Sequence, residues 1–95
     1  MADMQNVTLL CRKDYENYVT DRFGRDIEKT EVDDNHFEMT IEVDLDPLFI
    51  GWLSGLVEGI RALGPAKVVD RLREIAANLD GVYGRDQTGR EHLNR

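Results

Sequence analysis

Cysteine is almost missing from this chain. Its single Cys11 excludes an internal disulfide, and with only His36 and His92 beside it no ligand spacing suggests a metal site. No apolar run approaches the ~20 residues that a membrane-spanning helix needs, and no secretory signal is visible, so a cytoplasmic protein without membrane partners is expected. Cations are scarce: 12 Lys and Arg stand against 19 Asp and Glu, a formal charge of −7. That argues against gripping a nucleic-acid backbone, which rests on clustered Lys and Arg. It leaves room for a local basic pocket for a small anion.

Catalytic groupings are missing too. Ser54 lies in GWLSGL, inside an expected helix rather than on the strand-to-helix elbow that such a nucleophile needs. No glycine-rich phosphate loop follows a strand. Glu38 and Glu42 read as a solvated strand face rather than a carboxylate pair, and His36 as a solvated side chain beside a turn. The residues call for no enzyme and no cofactor.

What is present centres on Asp44 to Pro65, DLDPLFIGWLSGLVEGIRALGP. Asp46 before Pro47 is a helix start: the carboxylate accepts from first-turn N–H groups, and proline at the first position gives up no hydrogen bond. Phe49, Trp52, Leu53, Leu56 and Val57 share a face, and Leu48 and Ile50 widen it beyond one buried stripe. Gly59 is expected to end this helix in a left-handed turn. Ile60 to Leu63 is long enough for one short strand. Gly64-Pro65 then opens a last helix, with Val68, Val69, Leu72, Ile75, Ala76, Leu79 and Tyr83 on one face. Asp70, Arg71, Arg73, Glu74 and Asn78 lie on the other, and Gly81 or Gly84 stops it.

Upstream, residues 1–5 read as a disordered N-terminus. Val7 to Arg12 reads as a strand with Val7, Leu9 and Cys11 inward. Lys13 to Phe23 reads as a helix ended by Gly24. Asp26 to Val32 is a weaker strand, where the opposite parity of Ile27 and Val32 predicts an edge position or a bulge. His36 to Asp44 alternates strictly, with Phe37, Met39, Ile41 and Val43 inward. Residues 85–95 lack an apolar pattern and read as a disordered tail.

The order is that of the split β-α-β pattern. The expected fold is α+β: a ferredoxin-like βαββαβ sandwich over residues 6–84, with an antiparallel four-stranded sheet and an extra C-terminal helix. One sheet face would be left open, for the last helix, another subunit or a ligand to cover. Thr8, Arg12, Glu38, Thr40 and Arg61 would line it. An arginine fork there suits phosphate or carboxylate, although an ordinary surface ion pair of each arginine with Glu38 or Glu42 is the simpler expectation. Trp52 is expected in the core, with a stacking platform as its functional alternative.

The stretches VDLDPLFIGWLSGL and EGIRALGPAKVVDRLREIAANL, preceded by YVTDRFGRDIEKTEVDDNHFEMTIEVD, resemble the C-terminal extension, or WCX domain, of bacterial WYL-domain transcription regulators. The resemblance covers Val7 to Tyr83. It departs at Val57, where the family often has glycine, so Gly55 or Gly59 would take over the turn. It implies a non-enzymatic regulatory module that helps to dimerise the protein and to shape an effector site, for a nucleotide or another anion. DNA would be held only by N-terminal winged helix-turn-helix and WYL domains absent from these 95 residues. The alternative is a free-standing ferredoxin-like module for small-molecule binding or protein interaction.

Overall fold

The computed structural model describes residues 4–84. The chain runs β1 (Met4–Arg12), a 3-10 turn (Lys13–Tyr15), α1 (Glu16–Phe23), β2 (Thr30–Asp33), β3 (His36–Asp44), α2 (Pro47–Gly55), β4 (Ile60–Gly64) and α3 (Ala66–Tyr83). The four strands form one sheet in the order β2-β3-β1-β4, every neighbouring pair antiparallel. This is the expected ferredoxin-like α+β arrangement with its extra helix.

Alternation in β1 and β3 decides which face is buried. Val7, Leu9 and Cys11 point to the same side as Phe37, Met39 and Ile41, and Ile60 of β4 joins them. Val19 of α1, Phe49, Ile50 and Leu53 of α2 and Val68 of α3 close the cluster from above. All three helices therefore lie in one layer. The last helix does not cover the open sheet face; its Val68 is drawn into the common core instead. Burial pushes the Cys11 thiol up to about 11.

Local chemistry sets the helix ends. The Asp46 side chain accepts from the Phe49 N–H at 2.9 Å, and Pro47 occupies the first turn, as the sequence implies. Gly24 follows α1 at φ +88°, a left-handed value that glycine takes without strain. Gly59 corrects the expectation of a left-handed helix end. Helix α2 stops at Gly55, the Leu56 N–H bonds Leu53, and φ at Gly59 is not positive. Glycine stands there because the Tyr15 ring packs onto it, and an added Cβ would lie 2.2 Å from Tyr15 Cδ1. Of the α2 face read from sequence, Phe49 and Leu53 are buried with Ile50, while Leu48 and Val57 are exposed. Proline does not sit inside α3: Pro65 precedes its first residue, Ala66, and Gly64 belongs to β4.

Three boundaries differ upstream. The helix expected over Lys13–Phe23 opens with a 3-10 turn, so α1 begins at Glu16. Strand β2 spans Thr30–Asp33 rather than Asp26–Val32; it lies at the sheet edge and its register shifts between Glu31 and Asp33, so the expected edge position and bulge are both present, although Ile27 lies outside the strand. Ile27 packs on the core from the loop before the strand. Met4 and Gln5, expected in a loose end, pair with Asp44 and Val43 because β3 is long enough to template them. The expected disorder of residues 1–3 and 85–95 lies outside the described residues.

Candidate functional site

Two surfaces stand out. The first is the uncovered face of the sheet. Register places Thr8 opposite Thr40, and their hydroxyl oxygens lie 3.0 Å apart. Leu10 lies opposite Glu38 on one side and Arg61 on the other, so an apolar side chain separates that carboxylate from that guanidinium. Arg12 lies opposite His36.

Arg12 is committed to Asp14 in its own turn and, through Nη1, to the Glu58 carbonyl oxygen at 3.4 Å. Its Nε and Nη2 donate to the two Asp14 carboxylate oxygens at 3.1 and 2.6 Å, and its guanidinium carbon sits 5.2 Å from the centre of the Tyr15 ring. The bidentate hydrogen bond to Asp14 raises the Arg12 pKa further. The partner is thus Asp14, not Glu38 or Glu42. Arg61 is exposed and makes no ion pair with another described residue. Arg12, His36, Glu58 and Arg61 border a cleft of about 50 Å³. That is room for one or two water-sized groups, not for a nucleotide. Glu38 and Thr40 line a separate polar hollow of about 170 Å³ with Glu28 and Thr30.

Trp52 is not part of this face. It is half-buried in the helix layer, edge-on to Phe23 at 5.3 Å and stacked on Phe49 at 6.0 Å. The Arg22 guanidinium lies 5.7 Å from its ring centre. The sheet stands between it and Thr8, Glu38 and Thr40. The structure thus brings Thr8 to Thr40 and Arg12 to Arg61 across a small cleft, and leaves Trp52 elsewhere.

The second surface is a groove of about 390 Å³ between the end of α2, β4 and α3. Leu53, Val57, Ile60, Leu72, Ala76 and Leu79 make its walls, and Arg61 and Arg73 also line it. Its chemistry is apolar with two cations, the character of a binding groove rather than of a reacting centre. Sequence reasoning missed it because Arg73 reads as part of the solvated face of α3. The available signal was the apolar stripe of α3, which continues to Tyr83 although the body of the domain ends sooner. Leu79, Val82 and Tyr83 are exposed by 51, 53 and 76%. Charge placement gives no competing site: among the described residues no group of three His, Cys, Asp or Glu side chains could hold a metal ion, and no helix is long and apolar enough to cross a membrane.

Comparison with known proteins agrees with the pattern of the stretches around Trp52 and Pro65. A family model described as the WCX domain matches residues 3–79. No curated protein and no solved structure matches the chain.

Proposed function

The chain belongs to the WCX domain family, the C-terminal domain of WYL-type regulators, and from that premise we propose that it is a non-enzymatic regulatory module that works by assembly. In this reading it contributes dimerisation to a cytoplasmic transcription regulator and helps to shape its effector response. DNA contact falls to winged helix-turn-helix and WYL domains outside this sequence.

The observation that supports it best is the second surface. An apolar groove lies beside a helix whose own apolar stripe continues uncovered to Tyr83. Large exposed apolar patches on a soluble domain mark interaction sites. An anionic effector held by the open sheet face alone has weaker support, since Asp14 already satisfies Arg12.

Molar mass by light scattering across a concentration series, with and without a nucleotide or a short single-stranded oligonucleotide, tests the proposal. A mass that rises toward twice the monomer supports assembly. A strict monomer at every concentration, unchanged by either addition, counts against it.

A further inference from the structure

We propose that the groove is filled by α3 of a second copy of this chain, the two helices running antiparallel about a two-fold axis between Ala76 and Ala77, with Arg73 of each copy facing Asp80 of the other. This rests on the assembly reading above and names its surface.

Val69, Leu72, Ala76, Leu79 and Tyr83 recur at alternating intervals of three and four residues. That is the seam pattern of two helices packing side by side at a shallow angle. In the monomer this seam faces the groove, and it is only half-covered at Leu72 and exposed at Ala76, Leu79 and Tyr83. Alanine at the centre lets two backbones approach closely, while Leu79 and Tyr83 are large enough to fill space along a neighbouring groove.

Charge then fixes direction. Arg73 and Asp80 are seven residues apart, about two turns, and so lie on one flank of the seam. Neither side chain makes an ion pair or hydrogen bond with another described residue. The opposite flank is already taken by the chain's own core, with Val68 buried and Ile75 half-buried. Among the described residues the flank of Arg73 and Asp80 is exposed at both positions, whereas the other is covered at Val68 and Ile75 and opens at Val82. Two such flanks meet when the helices are antiparallel; a parallel pair would set Arg73 against the apolar flank of its neighbour. Arg73 and Asp80 are symmetric about Ala76 and Ala77. A two-fold axis there makes the Arg73–Asp80 contact twice, once in each direction, which is the self-complementarity that an isologous interface requires. A chain of net charge −7 resists pairing with itself; matched charges at the contact offset that locally. Asp80 lies just past the family match at residues 3–79, so the spacing of Arg73 and Asp80 belongs to this chain rather than to the matched family pattern.

Sedimentation equilibrium on the chain and three variants tests the proposal. Arg73→Glu and Asp80→Arg each turn two attractions into two repulsions, and each should raise the dimer dissociation constant about tenfold. The double variant reverses both charges together and should return it to within about threefold of the parent. The replaced side chains are exposed, so far-UV circular dichroism should stay unchanged in all three. Ala76→Cys should form a covalent dimer under mild oxidation, with Cys11 shielded in the core. Single variants that dimerise like the parent, a double variant that stays weakened, or no cross-link would each overturn the α3 geometry. A dimer that ignores these changes overturns this surface and leaves the assembly reading standing; a strictly monomeric parent removes both. Binding of 1-anilinonaphthalene-8-sulfonate to the groove that is undiminished in the dimer would also overturn the proposal, because the occupant would then not be α3.

Discussion

Gly59 and Tyr15 show how one residue type can answer two different needs. The Tyr15 ring lies where a Gly59 side chain would begin, and the same ring carries Arg12 on its face. Gly59→Ala should therefore destabilise the domain by about 1–3 kcal/mol, as overpacking does. In urea unfolding, the cost should shrink when Tyr15→Ala is combined with it, because the two changes share one space. Cys11 is fully buried and its thiol is pushed up to about 11. It should not react with a thiol reagent at pH 8 in the folded domain, and should react fully in denaturant; rapid labelling of the native protein would contradict its placement. Asp33 accepts from the Asn35 N–H at 2.8 Å and lies 2.9 Å from His36 Nδ1. The contact with His36, then that with Asn35, holds its carboxyl below the ordinary value. A depressed folded-state pKa means stability that is complete above the unfolded value, about 4, and is lost as pH falls through the folded value. Asp33→Asn should flatten the acid limb of stability below about pH 4, with a small effect because the carboxylate is exposed.

At the scale of elements, legibility followed the clarity of the local pattern. Strand β3 alternates without interruption, and its bounds and inward residues were readable from sequence. Helix α2 was readable at its start, where Asp46 and Pro47 leave little freedom. Asp46→Ala should cost about 1 kcal/mol by removing the acceptor for the Phe49 N–H, measurable as a lower urea midpoint with an unchanged slope. Leu53→Ala, at a fully buried position on the same helix, should cost about 2–5 kcal/mol. The far end of α2 was misread because a glycine's role depends on what approaches it, and Tyr15 is distant in sequence. Strand β2 was placed too early because Ile27 contributes to the core from a loop, which no alternation can signal. The open-face residues were placed on their strands, but the partner of Arg12 was not foreseen: Asp14 is two residues away, across a change from strand to 3-10 turn that brings the two side chains together. The groove escaped notice because it is assembled from three elements, and Arg73 faces it from the edge of an otherwise solvated helix side.

For the whole molecule, the layer arrangement decides what is left to do. With all three helices on one side, one sheet face remains polar, and the growing edge of the helix layer is α3. Assembly through α3 would extend the helix layer across two copies and leave both sheet faces outward, free for the other domains of a regulator. The strand order carries one more consequence, for synthesis and truncation. The first strand of this sheet to be made is a central one, and it is flanked by the third and the last. While the chain is being extended, β1 can find β3 but must wait for Ile60–Gly64 before its second edge is covered. A product ending before β4 would present the alternating apolar residues of β1 as an open strand edge, ready to pair with another nascent chain. Loss of β2 would be milder, since it exposes only the outer edge of β3. A stop before Ile60 removes the core residues Ile60 and Val68 along with β4 and α3, whereas losing the short bulged edge removes no buried residue.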